Sequence, residues 1–123
     1  MAGASPHVLV VDDSRVDCLV ASRVLESCNI RVTTVDGPKQ ALEFLDSEHD
    51  VNLILADYCM PDMTGYDFLM EVKESPKLEH IPVVIVCSDK IHERINKCLD
   101  GGAKEYLLKP LKVADVTRIL SYI

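Results

Sequence analysis

Asp12 and Asp13 stand side by side directly after the apolar run Val8–Val11, Asp57 follows the run Leu53–Ala56, and Lys109 follows Tyr106–Leu108. Cys87, Ser88 and Asp89 follow a fourth run, Val83–Val86. A lone Asp after a strand is usually a turn former or helix cap. The joint pattern carries more, because groups at the carboxyl ends of neighbouring parallel strands share one crevice. Two like charges about 4 Å apart repel by roughly 4 kcal/mol at an effective dielectric near 20. Three gathered carboxylates therefore call for a hard cation as well as one ammonium. Mg²⁺ suits them, since it takes few protein carboxylates and completes its shell with water and phosphate oxygens. A metal and a lysine around a carboxylate are the parts of phosphoryl transfer, in which positive charge must meet the equatorial oxygens and an in-line nucleophile attacks. Asp57 can be that nucleophile, with Asp12 and Asp13 on the metal and Lys109 on a phosphoryl oxygen.

The elements that must position these groups are legible as apolar patterns. The runs named above are short, rich in β-branched residues and without alternation, as expected of strands covered on both faces. Val32–Val35 alternates more, which points to an edge. Between the runs lie helical stripes: Val16, Leu19, Val20 and Val24; Ala41, Leu42 and Leu45; Phe68, Leu69 and Val72; Ile91, Ile95, Cys98 and Leu99; Val113, Val116, Leu120 and Ile123. Thr64 with Asp67 predicts a capping box. Asp36-Gly37-Pro38 predicts a helix start and Gly101-Gly102 a helix stop. The order is β-α repeated five times, which gives a doubly wound, five-stranded parallel sheet of flavodoxin-like α/β type. The domain is expected over residues 8–123, with residues 1–7 as an N-terminal extension.

Composition narrows the functions. The 123 residues with 48% hydrophobic content suffice for one domain with a core. No apolar run is long enough to span a membrane, and Met1 to Pro6 resembles no secretory signal. The expected location is the cytoplasm, the nucleus or both. A formal charge of −7 argues against nucleic acid as a partner. Five cysteines without a CxxC pair, and four histidines without a cluster, argue for reduced thiols and against zinc. The chain ends in its fifth predicted helix, so neither a DNA-binding nor a catalytic output domain is expected, and it is expected to be a monomer.

The residues resemble the receiver domains of two-component response regulators (the CheY-like family) over nearly the whole chain. The resemblance rests on Val10-Val11-Asp12-Asp13-Ser14, on Asp57 with Met60-Pro61 and Gly65, and on Gly102-Ala103 and Lys109-Pro110. The stretches Asp57-Tyr58-Cys59-Met60-Pro61 and Met63-Thr64-Gly65-Tyr66-Asp67 look like the plant cytokinin-responsive, stand-alone type-A regulators. The resemblance implies that Asp57 accepts phosphate from a phosphohistidine on a histidine-containing phosphotransfer protein or histidine kinase. It implies Mg²⁺ on Asp13, Asp57 and the Cys59 backbone carbonyl, with Asp12 acting largely through water. It implies Lys109 paired with Asp57 or its phosphate, a cis peptide before Pro110, and Tyr106 as an aromatic switch. Downstream proteins would read the switch. A receiver that takes phosphate and transcribes nothing would drain the relay as a negative regulator.

The main departure from the family pattern is Cys87, where relatives carry Ser or Thr to bond the phosphoryl group. A thiol is a weak donor, and Ser88 points to the opposite face while the strand continues. A smaller departure is Asp17-Cys18, where plant relatives often have Asp-Arg on the helix used for partner docking. Two readings follow: a phosphoacceptor whose switching is weakened, or a receiver-like interaction scaffold with weak or absent phosphorylation. Enzyme readings fail on motifs: Ser14 breaks the Asp-x-Asp of haloacid-dehalogenase-like phosphatases, and neither GxGxxG nor a Gly-Lys-Ser/Thr loop is present.

Overall fold

The computed structural model describes residues 5–47 and 50–123. Met1 to Ala4 and His49 lie outside the described residues, and with them most of the expected N-terminal extension and one of the histidines named above.

The chain alternates strictly, as β1 (His7–Val11), α1 (Arg15–Glu26), β2 (Arg31–Val35), α2 (Pro38–Ser47), β3 (Leu53–Asp57), α3 (Gly65–Glu74), β4 (Val83–Cys87), α4 (His92–Asp100), β5 (Glu105–Leu108) and α5 (Val113–Leu120). All five strands are parallel, in the order β2-β1-β3-β4-β5. Each strand is one residue longer than its apolar run. β1 begins at His7, whose N–H donates to Asn52 Oδ1 at 2.8 Å and which pairs with Arg31. β3 and β4 reach Asp57 and Cys87 because the ladder continues, with Asp57 opposite Val86 and Cys87 opposite Leu108.

The two faces of the sheet bury two separate cores. Leu9, Val11, Ile54, Ala56, Val83 and Ile85 pack with Leu45, Phe68, Leu69 and Cys98 from α2, α3 and α4. Val8, Val10, Leu53, Leu55, Val84, Val86 and Leu107 pack with Ala21, Leu25, Val116 and Ile119 from α1 and α5. Because alternate side chains all find a core, β1, β3 and β4 are buried throughout and apolar except for His7 at the start of β1 and Asp57 at the end of β3. β2 borders only β1, at the edge its alternation predicts.

Three helical stripes differ from expectation. On α1, Ala21 and Leu25 are buried, while Val16, Leu19 and Val20 are 69%, 52% and 36% exposed. The helix phase is set at its start, where the Ser14 hydroxyl accepts the Asp17 N–H and the Asp17 carboxylate turns to Lys109. That turns Asp17, Ala21 and Leu25 towards the domain and Val16 and Leu19 outward. On α5 the buried residues are Val116 and Ile119; Val113 is exposed and Ile123 lies beyond the helix. On α4 only Cys98 is buried, Ile91 is the N-cap rather than a helical residue, and Leu99 is exposed. Thr64 caps α3 by accepting the Asp67 N–H at 3.1 Å. Pro38 opens α2, and Gly102, at φ 111°, follows the end of α4 in the left-handed region open to glycine.

Candidate functional site

The carboxyl edge of the sheet collects the charged groups. Asp12 continues from β1, its N–H donating to Val35 O at 3.2 Å, and its Oδ1 accepts the Ser14 N–H at 2.9 Å. This turn releases the chain into α1 and leaves Asp12 Oδ2 free to face Lys109. Asp57 is the last residue of β3. The loop after it is held by Tyr58 N–H on Val86 O and by Gly65 N–H on Tyr58 O, at 2.9 and 2.7 Å. Gly65 is required there, since a Cβ would lie 2.7 Å from Asp57 O and 2.8 Å from Tyr58 Cα. Lys109 leaves β5 with its N–H on Cys87 O at 2.9 Å, and the Lys109–Pro110 peptide is cis.

These local arrangements bring together Asp12, Asp13, Asp57 and Lys109. Carboxylate oxygens of Asp12, Asp13 and Asp57 lie within 4.8 Å of one another, the only such group of acidic, histidine or cysteine ligands among the described residues. Asp12 and Asp57 are buried and Asp13 is exposed. The Lys109 ammonium sits 2.8 Å from Asp12 Oδ2 and 3.2 Å from Asp57 Oδ1. A further contact was not expected from the sequence: Asp17 Oδ2, also 2.8 Å from Lys109 Nζ. Its only signal was the spacing Ser14-x-x-Asp17, which places an acidic residue in the first turn of α1, where such residues usually serve the helix dipole.

The electrostatics follow from burial and crowding. Burial, and then the neighbouring Asp12 charge, push the Asp57 carboxyl up to about 6, against the pull of Lys109 and of the Cys59 N–H. Burial opposes the Lys109 ammonium, but its hydrogen bonds to Asp12 and Asp17 and the Asp57 charge hold its pKa above that of an ordinary lysine. Asp17 is lowered chiefly by its hydrogen bond with Lys109. One ammonium thus serves three carboxylates, which is too little charge for the cluster. The donor set is all oxygen and one member is open to solvent, so it fits a hard divalent cation that retains part of its water shell.

The remaining sequence candidates occupy the neighbouring loops. Cys59 is exposed and Cys87 is buried at 1% exposure. The Cys87 sulfur accepts the Asp89 N–H at 3.5 Å. Ser88 lies just beyond the strand and is exposed. Tyr106 is half-buried against the core of α2, α3 and α4, and its hydroxyl donates to Asp89 O at 3.0 Å. Tyr106 thereby fastens the loop that follows Cys87. Arg94 lies over the Tyr58 ring at 4.7 Å and reaches Cys59 Sγ at 3.7 Å, so α4 leans on the loop beside Asp57.

Comparison with known proteins places this arrangement. The profile of the response regulator receiver domain matches residues 8–121. The chain is 68% identical over 120 residues to the two-component response regulator ORR12 of rice (Oryza sativa subsp. japonica), covering 98% of this chain and 99% of that protein. It is 67% identical, with the same coverage, to rice ORR13. Among solved structures, chemotaxis protein CheY4 of Vibrio cholerae superposes with a TM-score of 0.86 at 25% identity, over 96% of this chain and 98% of that one. A response regulator receiver protein from Pseudomonas putida gives 0.88 at 24% identity, over 99% and 100%. The family match over nearly the whole domain and the identity to the rice regulators agree with the strand order and the acidic edge: the chain belongs to the response regulator receiver domain family of two-component systems.

Proposed function

We propose that the chain is a phosphorelay switch that accepts a phosphoryl group on Asp57 from the phosphohistidine of a phosphotransfer protein or histidine kinase. The observation that carries this reading is the burial of Asp57 between the Lys109 ammonium, 3.2 Å away, and the Asp12–Asp13 pair. In the transfer, an Asp57 oxygen forms a bond to phosphorus as the phosphorus–nitrogen bond to the donor imidazole breaks, and the departing imidazole nitrogen retains its electron pair. Asp12, Asp13, Asp57 and the Cys59 carbonyl are the groups that would hold Mg²⁺, which supplies charge neutralisation to the carboxylates and the incoming phosphoryl oxygens. Lys109 holds one phosphoryl oxygen, and the apolar floor of Val10, Leu55 and Val86 beneath the site keeps bulk water from its inner side. The exposed Val16, Leu19 and Val20 of α1 lie beside this edge and suit an apolar docking contact for the donor.

The likeness to the rice regulators supports a plant two-component pathway. We infer that this pathway is of the cytokinin type, with the chain a monomer that works in the cytoplasm or nucleus and passes its state to downstream proteins. In such a pathway the chain acts as a negative regulator by drawing phosphate from the relay. The test is phosphotransfer from a labelled histidine phosphotransfer protein with Mg²⁺, comparing the native chain with Asp57→Asn. Label on the native chain alone is the expected result. A second reading, a scaffold that is not phosphorylated, is favoured by one feature, the sulfur at position 87. Label on neither chain, from a donor active on another receiver, would select it.

A further inference from the structure

We propose that Asp17 is a positioning residue that shares the Lys109 ammonium with the phosphorylation site and so sets how tightly the phosphoryl-bearing state of Asp57 is held. This inference rests on the phosphoacceptor reading above.

The argument is one of hydrogen-bond supply. An ammonium has three donors and no acceptor. Asp12 Oδ2, Asp17 Oδ2 and Asp57 Oδ1 lie 2.8, 2.8 and 3.2 Å from Lys109 Nζ, so all three donors are spoken for. A phosphoryl oxygen on Asp57 can take a hydrogen bond from Lys109 only if a present acceptor yields one. Asp12 is a poor one to yield, since its side chain is 7% exposed and would be left buried without its counter-charge. Asp17 is the cheap one. Its side chain is 39% exposed, so water solvates it when the contact breaks. Its N–H is also tied to the Ser14 cap of α1, and Ala21 and Leu25 of that helix are buried, so the helix keeps other anchors when the Lys109 contact breaks. Asp17 also lines the same pocket as Asp12, Asp57 and Pro110, on the side closed by α1. The Asp57 Oδ1 contact, the longest of the three, weakens as that carboxylate takes the phosphoryl group. The group brings more than one anionic oxygen, however, so any further hold on the ammonium is drawn from Asp17, which competes with it for Lys109.

The probe is beryllofluoride with Mg²⁺, a phosphoryl mimic that binds the acceptor carboxylate, titrated calorimetrically into the full chain. Asp17→Asn should tighten binding about three- to fivefold, the size of a partly exposed ion pair removed from the competition. Asp17→Glu, which keeps the charge within reach of Lys109, should return the affinity to near the native value. Asp36→Asn removes an acidic group that borders the neighbouring Asp12–Cys18 surface but makes no ion pair with Lys109. It should move the affinity less than twofold, by roughly the screened effect of one distant charge. Unchanged or weaker binding by Asp17→Asn overturns the proposal, and so does an equal gain from Asp36→Asn, which would be charge alone. If the native chain itself binds no beryllofluoride, the phosphoacceptor reading falls and this inference with it. Native binding with no effect of Asp17→Asn removes only the inference.

Discussion

At the scale of single residues, Asp57 pays a folding cost for the position that makes it useful. Its carboxyl is pushed up to about 6 by burial and by Asp12, well above an unfolded aspartate. A group raised in the folded state adds stability that is complete below its unfolded value and is lost as pH rises through its folded value. Without metal, the native chain should therefore lose stability between about pH 4 and pH 6 from this residue. Asp57→Asn, in chelator, should be more stable than native at pH 7 by about 1–2 kcal/mol, reduced from the full shift because Lys109 loses a partner. The gain should shrink below pH 4; thermal unfolding across pH reads it, and a pH-independent difference would contradict it. Cys87 is the other residue-scale question. Its sulfur accepts from Asp89 N–H, a weak interaction that does not commit the β4–α4 loop to Asp57. Cys87→Ser should enlarge the chemical-shift change that phosphorylation causes in α4 and β5; identical changes in both proteins would refute this. The four groups at strand ends were legible from sequence because strand ends of a parallel sheet meet. Asp17 was not, because a first-turn acid on a helix already has a local reason to be there, and its partner is 92 residues away in the chain.

At the scale of elements, strands were easier to read than helices, for a physical reason. A strand buried on both faces shows its core role in every side chain, so the runs at β1, β3 and β4 needed no phase. A helix needs its phase, and α1 carries two candidate faces: Val16-Leu19-Val20, and Cys18-Ala21-Leu25. The first reads as the core from its spacing, but the second packs there, because the cap at Ser14 and the Asp17 contact fix the rotation. The apolar face left outside is what remains for a partner. The β3–α3 turn is the element on which the site depends most. There Gly65 touches the Asp57 carbonyl side of the backbone rather than a flexible side chain. Gly65→Ala should cost about 1–3 kcal/mol of stability, since backbone must move to admit the methyl. It should also slow phosphorylation by displacing Asp57, whereas Gly101→Ala, whose nearest obstacle is the terminal methyl of the Met70 side chain, should leave phosphorylation near native. Equal phosphorylation rates for Gly65→Ala and native protein would show that the turn does not hold the site.

At the scale of the whole molecule, two apolar cores enforce one charged edge. Both faces of the sheet are packed, so the buried carboxylates of Asp12 and Asp57 at its edge cannot drift apart to relieve their repulsion, while Asp13 adds a third from the solvent side. The repulsion, added to a formal charge of −7, is instead available to reward a cation. A ligand that binds only the folded state stabilises it by about 2.7 kcal/mol at a hundredfold excess over its dissociation constant. Mg²⁺ should therefore raise the melting temperature of the native chain by several degrees, an increase that Asp13→Asn and Asp57→Asn each diminish. Together with the residue-scale argument this fixes a crossover at pH 7. In chelator Asp57→Asn is the more stable protein, and in saturating Mg²⁺ the native chain matches or overtakes it. Parallel melting curves with no change of order would mean that the acidic edge gains nothing from the ion. A crossover would show that the strain built into the apo site is the same interaction that draws in the metal.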